Sequence, residues 1–304
     1  MTTETRAAVT PVTTAAPPVH AAAGRASPTG APPRSAPPPP TGAPPLTRER
    51  LADRFAGLGV RPGGVLLVQA SLRALGPVDG GAATVADALL DALGGQSDGT
   101  LVAYTATPEN SSTSRLHLAA VAGLSEAEAA AHRARMPRFD PARTPCSPTM
   151  GALSEEIRTR PGALRSAHPQ TSFAALGARA GQVVRDHRLT SHLGPDSPLG
   201  RLYELDARVL MVGVPMSRFT PFHLADLRMP DVRLREYRCS GPGGWVSFTA
   251  PDLDDLHFAE LGAEVLSRAG GAADRRIGGA GCRLVPVREA VDLAVEVLRE
   301  RRGR

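Results

Sequence analysis

A histidine followed by a proline is the first candidate for chemistry in this chain. His168 directly precedes Pro169, and proline pushes the residue before it out of the helical region. We therefore expect His168 to lie on extended or turn backbone, just before the strand-like run 171–176. An imidazole held on a rigid turn is suited to proton transfer near neutral pH. The alternative is a histidine that only packs or caps.

His223 and Asp226 form a second candidate pair, three residues apart. Thr220 is a favoured N-cap and Pro221 a favoured first helical residue, so a helix is predicted to begin here. That helix would follow a strand, and ligands gather at strand ends in open α/β sheets. An aspartate near a histidine stabilises the imidazolium and orients the ring. Alternatively, Asp226 is a first-turn acid favoured by the helix dipole, and His223 belongs to the core.

A glycine-rich loop over residues 70–81 follows the first predicted strand. Ser71 offers a hydroxyl and Arg73 a positive charge, and glycine lets backbone amides approach a ligand closely. The loop could therefore contact a phosphate or a pantetheine chain. Taken alone the pattern is weak, because most loops of this kind bind nothing.

Other chemistries lack their motifs. All 35 basic residues are arginine, so the lysine of a phosphate-binding P-loop is excluded, and no G-x-S-x-G elbow of a covalent hydrolase occurs. His187 and His192 have no carboxylate at ligand spacing, and the three cysteines are far apart, which predicts neither a metal site nor a disulfide framework. Cys146, between two prolines, has no neighbouring base, and we expect it to be structural.

The composition indicates which binding partners and which cellular location to expect. The net charge is +5 with a sequence pI near 9.8, but the arginines are interspersed with acids and no nucleic-acid motif occurs. No apolar run has the length of a signal peptide or a membrane span. We therefore expect a cytoplasmic protein that binds neither nucleic acid nor membranes. Residues 1–45, rich in Pro, Ala and Thr, are predicted to form a disordered tail.

The remaining residues, 46–304, are predicted to form one large α/β domain. An apolar strand at 65–68, a helix at 84–93 and a strand at 100–104 form a βαβ unit, and strands this apolar indicate a sheet covered on both faces. Residues 105–150 have little strand character and are interpreted as a helical insertion, in which Ser125 and Glu128 form a capping box. Further elements are predicted as a helix over 47–58, strands over 171–176, 208–214 and 245–249, and helices over 253–268 and 287–300. The expected fold is a central mixed sheet flanked by helices.

The chain resembles the aminoglycoside 3-N-acetyltransferase family of antibiotic N-acetyltransferases. The resemblance spans about residues 46–298. Motif residues occur in the family's order: Ser71-Leu72, Gly76, Gly80-Gly81, Phe139-Asp140-Pro141, Thr144-Pro145, Arg158-Thr159, Pro161-Gly162-Ala163, Arg165-Ser166, His168-Pro169, Ser172-Phe173-Ala174-Ala175, Ser197-Pro198-Leu199 and His223-Leu224-Ala225-Asp226. Two residues depart from the pattern: Gln69 replaces the usual His, and Asp226 replaces the usual Glu.

The resemblance implies transfer of an acetyl group from acetyl-CoA to the 3-amino group of the 2-deoxystreptamine ring. His168 would be the general base, oriented by Asp226 or His223. Acetyl-CoA would be held by Ser71, Leu72, Arg73 and Gly76. Because the acceptor is polycationic, we expect acids in the cleft, with Glu109, Asp140, Glu155 and Asp196 as candidates.

Two alternatives remain open from the sequence. The protein could acylate a biosynthetic amine that is not an aminoglycoside, with the same active-site residues and a different acceptor loop. It could also be a non-catalytic protein that binds CoA or an antibiotic, if the departures at Gln69 and Asp226 disable catalysis. The oligomeric state, monomer or homodimer, is not predicted.

Overall fold

The computed structural model describes residues 44–270 and 275–303. The predicted disordered tail, residues 1–45, lies outside this part of the chain except for Pro44 and Pro45, which are exposed and have no regular structure. Within the described residues, no helix is both long and apolar enough to cross a membrane. The predicted domain limits, 46–304, stay a prediction.

Nine strands form two sheets in the described part of the chain. They are β1 (Val65–Ala70), β2 (Thr100–Tyr104), β3 (Leu164–Arg165), β4 (Phe173–Gly177), β5 (Arg208–Val212), β6 (Leu234–Gly241), β7 (Gly244–Pro251), β8 (Arg275–Ile277) and β9 (Ala280–Pro286). Seven of them form one sheet in the order β3-β4-β2-β1-β5-β9-β8, and β6 pairs with β7 in a separate hairpin. β1 is parallel to β2 and to β5, whereas the other pairs are antiparallel. The predicted mixed sheet is confirmed.

Helices flank this sheet. In the described residues they are α1 (Arg48–Leu58), α2 (Leu72–Leu75), α3 (Gly81–Ala92), α4 (Arg115–Val121), α5 (Glu126–Ala134), α6 (Ala152–Thr159), α7 (Ala180–Val184), α8 (Pro198–Glu204), α9 (Phe222–Asp226), α10 (Phe258–Arg268) and α11 (Val287–Arg302). Two of the predicted caps are present: the Thr47 side chain accepts from the Arg50 amide, and Ser125 and Glu128 form a capping box. Each cap satisfies amides that have no partner within the helix.

The hydrophobic core lies on both faces of the sheet. Side chains alternate across a strand, and those of β1 enter two separate clusters: Val65 and Leu67 pack on one face, Leu66 and Val68 on the other. The first cluster includes residues of α8, α9, α10 and α11, and the second includes residues of α1, α3 and α6. The apolar run at residues 65–68 predicts a sheet that is covered on both faces, and this prediction is confirmed.

Two parts of the fold differ from the sequence prediction. The strand predicted at 245–249 is part of β7, which pairs with β6 in the separate hairpin and not with the main sheet. Strands β3, β6, β8 and β9 were not predicted, and β8 and β9 complete one edge of the sheet. The helical insertion at 105–150 contains α4 and α5, and it contacts the hairpin: the Ser112 amide donates to the Arg238 carbonyl, and the Phe139 amide to the Ser240 carbonyl. Backbone hydrogen bonds thus join the insertion to the hairpin.

Two helical glycines give opposite predictions for stability. Gly200 is buried in α8 and packs so closely on the Pro195 carbonyl that an added Cβ would collide with backbone. Gly181 is exposed in α7, and an added Cβ there would meet only the end of the Leu164 side chain, at 3.9 Å. We expect Gly200→Ala to lower the free energy of unfolding by about 1–3 kcal/mol. The control, Gly181→Ala, should raise it by up to about 1 kcal/mol because alanine favours helix. Urea denaturation measures both, and equal effects of the two variants would contradict this packing.

Candidate active site

A cavity of about 840 Å³ lies where the parallel strands end. Its lining includes the carboxyl end of β1 with Gln69 and Ser71, Tyr104 at the end of β2, Val214 after β5, and His223 of α9. Parallel strands end at the same edge of a sheet, so loops distant in sequence meet there. Further lining residues come from α4, from the turn after His168 and from the hairpin. The cavity is therefore the candidate active site.

His223 lines this cavity from α9 and is partly buried. Its ring centroid lies 4.7 Å from that of Phe258. Burial lowers the pKa of His223 to about 4, although the negative charges of Asp226 and Asp255 oppose this effect. The imidazole is consequently neutral at pH 7 and has a lone pair available for a proton.

Asp226 lies in the same helix and is bonded to another histidine. Its Oδ1 accepts a hydrogen bond from Nε2 of His257, at 3.0 Å. This contact raises the pKa of His257, whereas burial and Arg301 oppose the rise. The predicted pairing of Asp226 with His223 is thus electrostatic in this structure, and the direct hydrogen bond goes to His257.

Gln69 fixes the chain segment that precedes α9. Its Nε2 donates to the Arg218 carbonyl at 2.5 Å and to the Thr220 hydroxyl at 2.9 Å, and its Oε1 accepts from the Thr220 amide at 3.4 Å. Thr220 was predicted to cap the helix, but the N-cap is Pro221, with no side-chain cap. The Thr220 hydroxyl is instead directed to Gln69. The Gln69 side chain, which replaces the usual His of the family, therefore connects the end of β1 to the segment before the helix that carries His223.

One of the four residues predicted to hold acetyl-CoA lines the cavity. Ser71 lies at its wall, caps α2 by accepting from the Ala74 amide at 3.3 Å, and donates its own amide to the Val212 carbonyl. Leu72 packs against the core, Gly76 ends α2 with a φ of 92°, and Arg73 is exposed. The loop places the Ser71 hydroxyl, but not the Arg73 guanidinium, beside the cavity.

His168 is buried away from the cavity. Its side chain has no exposed surface. The ring Nδ1 accepts from the amides of Gln170 and Thr171, each at 3.1 Å, and Nε2 lies 3.2 Å from the Leu189 carbonyl, to which it donates. Burial and the neighbouring rings of His192 and His187 lower the pKa of His168 well below its ordinary value. The turn predicted from His168 and Pro169 does form, and it presents Gln170 and Thr171 to the cavity.

The histidines at 187 and 192 pack against His168. Their ring centroids lie 4.8 and 4.5 Å from its ring. His187 is bonded to the Ser166 hydroxyl at 2.9 Å and to the His192 carbonyl at 2.6 Å. Within residues 44–270 and 275–303, no group of three His, Cys, Asp or Glu side chains is arranged to hold a metal. The three rings thus form a buried cluster that supports the turn at residues 170–171.

The four predicted substrate acids are engaged elsewhere. Asp140 accepts from the Ala142 amide in a turn. Glu155 binds Arg158, which lowers the pKa of the Glu155 carboxyl to about 2. Asp196 lies near Arg188 at the surface, and Glu109, which lines a smaller second cavity of about 300 Å³, accepts from the Ser147 hydroxyl. None of the four lines the main cavity.

The acid that lines the main cavity is Asp255, which the sequence analysis missed. It lies in the loop between β7 and α10. Its carboxylate is 3.8 Å from Arg115 of α4 and 3.5 Å from Arg218 of the loop before α9. No spacing motif marks Asp255. The helix predicted over 253–268 included Asp255, whereas α10 begins only at Phe258 and leaves Asp255 in a loop.

The chain is similar to known proteins of one family. The sequence model of the family described as aminoglycoside 3-N-acetyltransferase matches residues 67–299. Aminoglycoside N(3)-acetyltransferase VII of Streptomyces paromomycinus is 34% identical, with 86% of this chain and 94% of that protein aligned. Aminoglycoside N(3)-acetyltransferase III of Pseudomonas aeruginosa is 31% identical, with 85% and 96% aligned.

Solved structures are similar over 84–85% of this chain. YokD of Bacillus subtilis gives a TM-score of 0.77 at 30% identity, with 84% of this chain and 94% of that one covered. AAC-VIa bound to sisomicin gives 0.72 at 30% identity, with 85% and 99% covered. AAC-IIIb in a binary complex with CoASH gives 0.70 at 31% identity, with 84% and 97% covered. The chain belongs to the aminoglycoside 3-N-acetyltransferase family.

Proposed function

We propose that this protein transfers the acetyl group of acetyl-CoA to the 3-amino group of the 2-deoxystreptamine ring of aminoglycosides, and thereby confers resistance. The observation that carries the proposal is a neutral histidine, His223, in a cavity at the carboxyl ends of parallel strands, with acidic side chains beside it. Family membership supports the reaction, and related structures contain CoASH or sisomicin. Acetyl-CoA is an intracellular compound, so a cytoplasmic location is part of the proposal.

The acceptor must lose two protons, because an ammonium group has no lone pair and the amide product carries one hydrogen fewer than the free amine. In the proposed mechanism, the ammonium first loses one proton to solvent. The nitrogen of the free amine then attacks the thioester carbonyl, and the neutral imidazole of His223 takes the second proton as the carbon–nitrogen bond forms. The tetrahedral intermediate collapses with cleavage of the carbon–sulfur bond, and the CoA thiolate takes the proton from the imidazolium. Asp226 and Asp255 oppose the effect of burial on the pKa of His223, so they stabilise the imidazolium as it forms.

His223 replaces His168 as the proposed base. The His223 ring lines the cavity, whereas the His168 ring is buried with both nitrogens in hydrogen bonds. A base must come within hydrogen-bond reach of the proton that it removes. His168 would have to break contacts with the backbone of residues 170 and 171 before it could accept a proton from a substrate.

The developing oxyanion of the intermediate needs a hydrogen-bond donor. Ser71 is proposed for this role because its oxygen accepts from the Ala74 amide, which leaves the hydroxyl proton free to donate into the cavity. Thr171 also lines the cavity and offers a second hydroxyl. Its hydroxyl lies 3.4 Å from the His192 carbonyl and 3.3 Å from the Nδ1 of the same residue. Because these contacts engage the Thr171 hydroxyl, Ser71 is preferred as the donor to the oxyanion.

Asp255 is proposed to bind an amino group of the acceptor. In the structure its charge is opposed by Arg115 and Arg218. An ammonium group of a polycationic ligand would compete with these exposed arginines for the carboxylate, and ion pairs between exposed side chains contribute at most about 1 kcal/mol. The substrate can therefore displace them at little cost.

A second candidate function is acylation of an amine that is not an aminoglycoside. Among the described residues, the cavity lining contains three arginines, Arg115, Arg218 and Arg235, and one acid, Asp255. This balance favours an acceptor with fewer positive charges, unless the arginines serve the phosphates of CoA. A panel of acceptors distinguishes these two functions.

The proposed function predicts release of CoA when acetyl-CoA is mixed with an aminoglycoside that carries a free 3-amino group. NMR of the product should locate the acetyl group on that nitrogen. The control is the same antibiotic already acetylated at that position, which should release no CoA above the rate of hydrolysis. Turnover of simple biosynthetic amines but not of aminoglycosides would favour the second candidate, and turnover of neither would contradict both.

Two histidine variants test the choice of base. His223→Ala should lower kcat by about 10²–10⁴-fold because general base catalysis is lost, with little change in the KM for acetyl-CoA, and the residual rate should rise with pH as free amine appears. His168→Asn keeps an acceptor near the position of Nδ1, so we expect a lower melting temperature but a kcat within about tenfold of the parent protein. The assignment is refuted if His168→Asn loses turnover with unchanged melting while His223→Ala stays active.

A further inference from the structure

The acid beside the proposed base is held by a residue from another helix. His257 directly precedes α10, and its Nε2 donates to Oδ1 of Asp226 at 3.0 Å. Both side chains are partly buried, with 34% of His257 and 26% of Asp226 exposed. The hydrogen bond therefore links the start of α10 to the end of α9, close to the cavity wall formed by His223.

We propose that His257 is a positioning residue, which holds the Asp226 carboxylate in place and, when protonated, weakens the attraction of that carboxylate for the proton on His223. The inference rests on the proposed role of His223 as the base. Under this proposal His223 acts on the substrate, Asp226 acts on His223, and His257 acts on Asp226. The role of His257 is to act on the base through Asp226, without contact with the substrate.

The charges around the two histidines support this coupling. His257 faces Asp226 of α9, Asp254 of its own loop and Arg301 of α11. The first two raise the pKa of His257, and Arg301 lowers it. His223 faces the same Asp226 and Asp254, as well as Asp255, and the positive charge of His257 lowers the pKa of His223. Below neutral pH the two imidazoles thus compete for the same carboxylate.

The proposed role has two effects that experiments can separate. The first is geometric: an N–H group at the position of His257 Nε2 fixes the Asp226 carboxylate. The second is electrostatic: the charge of the imidazolium depresses the pKa of His223. A glutamine at 257 keeps an N–H donor and removes the charge, whereas an alanine removes both. Asp254→Asn is a matched control, because it removes a nearby charge without touching the hydrogen bond to Asp226.

The pH dependence of kcat tests both effects. His257→Gln and His257→Ala should each move the acid limb of the profile to higher pH by about one unit, because loss of a nearby positive charge favours the imidazolium of His223. Only His257→Ala should also lower the plateau of kcat, by about tenfold, since Asp226 is then free to rotate. Asp254→Asn should shift the acid limb the opposite way and leave the plateau unchanged.

An NMR titration of the histidine ring protons tests the pair without any turnover. In the parent protein the pKa of His257 should lie above its ordinary value, and in Asp226→Asn that pKa should fall, because the negative charge that raised it is gone. The inference is overturned if Asp226→Asn leaves the titration of His257 unchanged. It is also overturned if both His257 variants lose stability and kcat together with no shift of the acid limb. Absence of acetyl transfer in the parent protein would instead refute the proposed function, while the titration would still report on the pair.

Discussion

The parallel pairing of β1 with β2 and β5 is the constraint on which the site depends. It brings the carboxyl ends of three strands to one edge, so that Gln69, Tyr104 and the segment leading to α9 meet across long distances in sequence. The Gln69 amide then fixes that segment, with hydrogen bonds to the Arg218 carbonyl and to Thr220. A helix of five residues has little stability of its own, so the orientation of His223 depends on this contact and on packing against Phe258.

Burial and charge have opposite effects at the proposed base. Burial keeps His223 neutral and able to accept a proton, but it also makes the imidazole a weaker base. The nearby carboxylates of Asp226 and Asp255 partly restore its basicity. In the buried cluster of His168, His187 and His192, burial is the main cause of the lowered pKa of each ring, and no carboxylate opposes it. Buried histidines thus include the proposed base in one place and the support of a turn in another.

The sequence predicted local structure well and burial poorly. Caps such as Thr47 and the turn at His168 depend on neighbouring residues, so they could be recognised without a fold. Whether the His168 ring faces the cavity or the interior depends on His187 and His192, which are 19 and 24 residues away and which no local pattern reveals. The same limit applies to the acids. Glu155 was expected in the cleft but binds Arg158, whereas Asp255 reaches the cavity because the hairpin of β6 and β7 leads its loop there.

The central claim is that the acceptor amine is activated by His223 in the cavity at the ends of β1, β2 and β5. A structure of the protein with CoA and an aminoglycoside tests it most directly. The account predicts that the 3-amino nitrogen lies about 3 Å from a ring nitrogen of His223, with a second amino group beside Asp255 and the CoA sulfur on the Ser71 side. An amine bound next to a rearranged His168, or in the smaller cavity beside Glu109, with His223 out of reach, would contradict the account.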